Sequence, residues 1–512
     1  MTKKNIMFIS VSLILLMLLG IGVSYSMWIL TVSQTGVNTA YSKCFDLSII
    51  NKENNISLEN AYPITNEKGK SLTPFTFTIT NTCDINASYN INLESLNGTT
   101  LKADYLDIML DSNEPKRLNS YSTATLVNTD SIDSRNLTSG ILDSGKSKSF
   151  SLRIWIDYDT TLADLENSTK LFKGKIIVVG TPTNESAPTP VEEIISQLDT
   201  SGKCPSVNAD GSVNVTKVEA TNGYLCKAKD AYGDSYYYRG NVTNNYVKFA
   251  DKYWRIVRIN GDGTVRVIYD GTSAHANGES SEDRQIGTST FNSSYNDNAY
   301  VGYMYGATGA STYAAAHANT NDSTIKAYID NWYKTNILGT ANEQYLADNV
   351  FCNDRSISTY TTSSNTKLGY GTNSTYYRWA YGPWNGTNYG NMKMMLTCPQ
   401  KNDAFTVSDT TNGNGALTYP IGLLSTDEIA LAGGWNASNS GYYLYSGQVW
   451  WASSPYRFNG NGASVRYVYS NGNAGSGSYV DGAGGVRPVF NLKADTLAQG
   501  SGTASDPYRI SS

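Results

Sequence analysis

Histidine is nearly missing. The 512-residue chain holds two, His275 and His317, in the small-residue contexts AHANG and AHANT. Neither context has the strand-to-helix elbow that presents a nucleophile, so Ser-His-Asp and Cys-His catalysis is not expected. Cysteine is scarce too. There are six, none spaced as CxxC and none at ligand spacing from a histidine, so no metal site is expected. Charged residues make up 16% of the chain, the net charge is −5, and no basic block occurs beyond the N-terminus. Nucleic acid is therefore excluded as a partner, because phosphate binding needs a concentrated positive field. Only one long apolar run is present, which excludes a multi-pass channel. A paired-carboxylate glycosidase stays open on sequence alone, since spacing along the chain does not give separation in space. The adjacent Asp427-Glu428, however, reads as helix capping. The chain is expected to be no enzyme and to carry no cofactor.

What is there begins with Lys3 and Lys4 ahead of IMFISVSLILLMLLGIGV, residues 6–23. Residues 1–30 read either as a signal peptide, with Ser24 and Ser26 before a cleavage point, or as a membrane anchor with lysines on the cytoplasmic side. Both readings place the rest of the chain outside the cytoplasm, at the cell surface or secreted. Export agrees with an even number of cysteines. Fifteen pairings are possible, and clustering favours Cys44–Cys83, Cys204–Cys226 and Cys352–Cys398. Each bridge closes a loop worth about 3 kcal/mol in the chain-entropy model.

The fold is expected to be multidomain and mainly β. Residues 31–183 alternate apolar and polar side chains in PFTFTITN (74–81), SYNINLESL (88–96) and SFSLRIWIDY (149–158), and KGKIIVVGTPT (173–183) closes the region. Such period-2 runs predict a β-sandwich, Ig-like or jelly-roll. NESAPTPVEE (184–193) is a linker, with Pro190 suited to the first turn of a short helix. Residues 194–512 mix elements. Two strands meet at Asn260-Gly261-Asp262-Gly263, an amphipathic helix follows Ser323, and Ser425-x-x-Glu428 opens a helix that Gly433-Gly434 ends. This region reads as α+β.

Two resemblances add to this. SYSMWILTVSQTGVNTAYSKCFDLSI (24–49) resembles the start of TasA/camelysin-type exported proteins, a likeness that implies a secreted sandwich assembling by strand addition. FCNDRS (351–356), YPIGLLSTDEIALAGG (419–434), WWASSP (450–455) and GVRPVFNLK (485–493) resemble surface domains of Gram-positive bacteria. Those domains are in turn similar to the C-type lectin-like fold, including its formylglycine-generating and retroelement variable-protein branches. The likeness implies a C-type lectin-like domain over 194–512, in which a long loop excursion between core strands binds ligand. The EPN, QPD and WND calcium motifs of sugar-binding lectins are absent, as is any cysteine after Cys398. Neither calcium coordination nor formylglycine chemistry is therefore expected.

Between Trp450-Trp451 and Val486-Arg487-Pro488-Val489-Phe490 lies a stretch built largely of Gly, Asn, Ser and Tyr. The flanks read as core, with Arg487 pairing internally with a carboxylate or carbonyls. Residues 456–484 need not pack. They read either as a display loop presenting Tyr456, Asn459, Asn461, Tyr467, Tyr469, Asn471, Asn473 and Tyr479 to an extracellular glycan or protein, or as a plain solvated loop. From Tyr456 to Asp481 there is no Lys, Glu, Gln, Met or Trp. That composition matches the adenine-directed variation of the retroelement proteins as well as simple turn formation. STYYRWAYGPWNGTNYGN (374–391), with Trp379 and Trp384, is expected to supply a second wall of the same site. Two function classes follow: a surface recognition or adhesion module, and a structural subunit of a cell-surface fibre or matrix. Non-reducing peptide mapping of the exported chain is expected to recover the three neighbouring cysteine pairs and no free thiol.

Overall fold

The computed structural model describes residues 31–32, 45–49, 56–58 and 61–510, apart from 112, 162, 167–169, 216–221, 360–362 and 382–392. The apolar N-terminal run and Cys44 lie outside the described residues. No helix among the described residues is long and apolar enough to cross a membrane. The structure is mainly β, in several sheets, and divides into two compact units, residues 1–188 and 189–512.

In the first unit, strands β1 (Thr31–Val32), β2 (Phe45–Ile49), β3 (Ile56–Leu58), β4 (Phe75–Asn81) and β5 (Ala87–Leu96) are followed by β6 (Leu106–Leu110) and β7 (Lys116–Arg117). Three longer strands complete it: β8 (Ser131–Leu142), β9 (Ser147–Ile156) and β10 (Phe172–Pro182). They form two antiparallel sheets, ordered β1-β3-β10-β5-β8 and β2-β4-β9-β6-β7. The alternation seen in sequence decides which faces meet. Phe77 lies opposite Phe150 in register, and this face of β4 and β9 joins Ile91 and Leu93 of β5 and Ile176 and Val178 of β10 in one core. Tyr89 of the first sheet reaches the Phe150 ring of the second edge-on at 6.1 Å. Trp155 is also fully buried, under the short helix Asn66–Lys70. A Cβ at Gly69 would fall 2.3 Å from its indole, so only glycine lets the helix lie this close.

The second unit opens with the helix Pro190–Ser196, capped by a Thr189–Glu192 capping box. The expected hairpin is present as Lys252–Ile259 and Val265–Gly271 in an eight-stranded sheet, where the second strand also pairs with Val489–Leu492. Trp254 packs 5.0 Å from Phe490 and 6.3 Å from Trp332, ring to ring. Trp332 belongs to the helix Thr324–Asn336, which Ser323 caps and which buries Ile325, Ile329 and Tyr333. The helix Thr426–Ala432 carries the Ser425–Glu428 capping box and ends at Gly433 with φ 121°. Disulfides join Cys204 to Cys226 and Cys352 to Cys398, and Cys83 is also disulfide-bonded.

One ion cluster in the first unit has a pH consequence. Arg117 bonds Asp107 (3.0 Å) and Asp157 (2.5 Å) together. Burial, then the hydrogen bond to the second carboxyl group, push Asp107 up to about 6. A folded-state value above the ordinary 3.8 means that folding takes up a proton between those values. The stability from that proton is full at low pH and is lost as pH rises through 6. Asp107→Asn is therefore expected to raise the unfolding free energy of this unit at pH 7 relative to wild type. The gain should shrink toward zero below pH 5, as followed by hydrogen exchange of the β6 amides.

Candidate recognition surface

The segment expected to stay unpacked is a three-stranded antiparallel meander. Trp450–Phe458 pairs with Ala463–Val468, which pairs with Ser476–Tyr479. Phe458, Val465, Val468 and Val480 are buried. The display-loop reading of 456–484 is corrected accordingly: five of the six residues of Ala463–Val468 are buried, and of the tyrosines expected to be displayed Tyr469 and Tyr479 are the exposed ones. Its glycines serve packing as well as turns. A Cβ at Gly477 would stand 2.4 Å from the Tyr456 ring, and one at Gly484 would stand 2.7 Å from the Trp451 indole nitrogen. Aromatic rings lie flat against bare backbone, and residues that read as softness turn out to be close contacts.

Most of the asparagines are committed to turns. The Asn459 Oδ1 accepts from Asn461 N and Gly462 N at 3.0 and 2.9 Å. The Asn471 Oδ1 accepts from Asn473 N, and the Asn473 Oδ1 from Gly475 N at 2.7 Å. Asn471 Nδ2 donates to Ser438 Oγ. These are Asx-type turns, which close the ends of the meander.

The tyrosines part into two groups. On one side an aromatic line runs from core to surface: Phe291 to Trp451 (5.8 Å), Trp451 to Tyr467 (5.8 Å), Tyr467 to the exposed Tyr469 (4.6 Å). Burial and the Tyr469 hydroxyl hold the Tyr467 phenol above its ordinary range. Elsewhere on the meander Tyr479 is 45% exposed and packs 6.3 Å from Tyr295, also 45% exposed. Asn459 Nδ2 donates to the Tyr479 hydroxyl at 2.9 Å, and Ala463 N to the Tyr295 carbonyl at 2.7 Å. Tyr295 gave no signal in the sequence, because the stretch around it, FNSSYNDNAY, is mostly polar and shows no apolar alternation. Tyr456 is half-buried, with the Arg466 guanidinium 4.4 Å and the Arg457 guanidinium 5.1 Å from its ring centre.

Trp379, expected on the far wall of a site, is fully buried. Its indole N–H donates to Asp427 Oδ2 at 2.8 Å and its carbonyl accepts from Arg466 Nε at 3.0 Å. Its environment is therefore core rather than ligand-facing. Trp384 lies outside the described residues. Arg466 also donates to the Gly475 carbonyl, so one guanidinium ties the meander to the segment closed by Cys352–Cys398. Burial lowers Arg466 to about 10, which leaves it charged at neutral pH.

Asp427 and Glu428 do more than cap a helix. Arg378 bridges Asp427 and Asp354. Arg266 and Arg258 converge on Glu428 at 2.5 and 3.3 Å, and Arg258 also bonds Asp230 at 2.5 Å. Burial pushes Asp427 up against the pull of Arg378. At Glu428 burial is outweighed by Arg266 and Arg258, so its carboxyl falls below the ordinary range. Arg487 pairs as expected, donating to the Tyr269 and Leu444 carbonyls and to Asp270 at 2.7 Å. Among the described residues no group of histidine, cysteine and carboxylate side chains could hold a metal ion.

These environments set a stability order. Tyr469→Ala or Tyr479→Ala is expected to cost less than about 1 kcal/mol, as surface truncations. Trp451→Ala should cost about 3–5 kcal/mol through the cavity it leaves. Arg466→Ala strands two carbonyls and should cost about 2–4 kcal/mol. Urea unfolding of the four variants checks the ranking.

A family model described as a domain of unknown function (DUF6273) matches residues 339–494, the stretch that holds the Cys352–Cys398 bridge, the capping-box helix and the whole meander. A search of curated proteins finds no match.

Proposed function

We propose that the second unit is the recognition head of an exported adhesion protein, a C-type lectin-like domain binding a glycan or protein outside the cell. The first unit, a β-sandwich, serves as spacer behind an N-terminal signal or anchor. The observation that carries this reading is the pairing of Tyr295 with Tyr479. Two large rings, each 45% exposed, are fixed by a backbone hydrogen bond and by the Asn459 amide rather than by burial. Rings held rigid and left open cost little entropy when a sugar face or a side chain stacks on them. Tyr469, at the end of its aromatic line, offers a further exposed ring.

A binding role is supported over catalysis by the histidine environments. His275 Nδ1 lies 2.7 Å from Glu279 and Nε2 2.9 Å from Asp283, which leaves neither nitrogen for a nucleophile. His317 is buried against the Tyr313 ring, and desolvation pushes it down to about 2, so it stays neutral. The disulfides accord with an oxidising compartment.

The full exported chain, screened on a glycan array and on bacterial and host cell surfaces, is expected to bind. Tyr295→Ala with Tyr479→Ala should abolish binding while leaving the melting temperature within a few degrees of wild type. Blank results across both screens, or binding that survives the double substitution, would contradict the assignment.

A further inference from the structure

The first unit contains a cavity of about 540 Å³ that plays no part in the surface above. Its floor is the outer face of the β1-β3-β10-β5-β8 sheet, at Asn90 and Asn92 of β5, Asn136 of β8 and Val179 of β10. Register places Asn92 opposite Asn136 and Asn90 opposite Val179. The roof is the strap Thr123–Val127, whose Leu126 is exposed.

The strap is built to stand where it does. At one end the fully buried Glu94 accepts from Val127 N at 2.7 Å, Asn128 N at 3.2 Å and Ser131 Oγ at 2.6 Å. At the other, Arg135 donates to the Asn119 and Tyr121 carbonyls, Asn136 N to the Ser122 carbonyl and Ala124 N to the Ser134 carbonyl. A carboxylate with three donors and a guanidinium with two acceptors are strong pins. The open volume beneath is therefore a fixed feature of this unit.

The floor carries oriented donors. Asn136 Nδ2 donates to Asn92 Oδ1 at 3.0 Å, and Ser139 Oγ donates to Asn90 Oδ1 at 2.6 Å. Both β5 amides spend their oxygen inside the sheet, which leaves the Nδ2 groups of Asn90 and Asn92 to donate into the cavity. Asn92 is only 3% exposed, so its amide is held in place by packing. Two residues apart on one strand, the donors repeat at about 6.6 Å, the interval at which carbonyls recur along one side of an extended chain. None of the lining side chains is charged, and Val179 and Leu126 offer apolar contact beside the amides.

We propose that this cavity binds an extended, uncharged peptide segment laid along β5, with its backbone carbonyls on Asn90 and Asn92 and a small apolar side chain against Leu126. A peptide is favoured over a saccharide because the two donors stand one extended-chain repeat apart and no aromatic ring lines the cavity.

The test is selection of a displayed random dodecapeptide library on the full chain, followed by affinity measurement with the best-enriched synthetic peptide. Selected peptides should be uncharged, and their affinity should not change between low and high salt. Asn90→Ala removes one exposed amide and should weaken binding about fivefold, the worth of one hydrogen bond. Leu126→Asp, on the exposed roof, should abolish it, and neither change should move the unfolding midpoint. Failure to enrich any peptide, enrichment that persists in Leu126→Asp, or displacement of the peptide by a neutral oligosaccharide would overturn the proposal. Loss of the tyrosine surface by Tyr295→Ala with Tyr479→Ala should leave this binding intact.

Discussion

Buried guanidinium groups hold the C-terminal unit together. It is a unit of few helices and long loops, and a loop packed inside a protein brings carbonyls that no ladder satisfies. Five of the twelve largest fully buried side chains among the described residues are arginines. Arg284 and Arg487 share Asp270 and spend their other donors on the carbonyls of Glu279, Tyr443, Tyr269 and Leu444. Arg239 reaches the carbonyls of Ala430 and Leu431 at the end of the capping-box helix, where a cation also suits the helix dipole. Arg355 closes on Asp403 with its own backbone N–H as well as its side chain. An arginine has five donors in a rigid fork, so one side chain can satisfy two loops at once.

That constraint explains the segment between the two tryptophan and valine anchors. Arg466 joins the meander to Trp379 and thereby to Asp427 and Arg378. With this support the strands need little apolar bulk of their own. Glycine lets Tyr456 and Trp451 lie on the backbone, asparagine closes the turns, and the Tyr469 and Tyr479 rings are left exposed. The exposed rings are then held by packing against their neighbours rather than carried on a loose loop.

The regular elements were legible in the sequence because they rest on local signals. Phe75, Phe77 and Ile79 announce a strand by alternation, Ser425 and Glu428 announce a helix start, and Asn260–Gly263 announce a hairpin. The candidate surface was legible only in part. Tyr469 and Tyr479 were expected to be exposed and are, but the meander reads as a loop because β-propensity is judged on bulky residues and these strands carry Ser, Gly and Ala. Tyr295 and Tyr479 stand 184 positions apart in the chain, and only tertiary contact brings their rings together. The same holds for Arg378 with Asp427: a buried ion pair between distant residues leaves no periodic trace.

Hydrogen exchange along residues 450–485 of the full chain tests the central claim, that this segment is a pinned sheet presenting fixed rings. Amides of Val465, Arg466 and Val468 are expected to exchange as slowly as those of Val267 and Ile268 in the core strand, while Gly460 and Ser470 in the turns exchange early. Exchange of the whole segment within seconds, ahead of the core strands, would contradict the account.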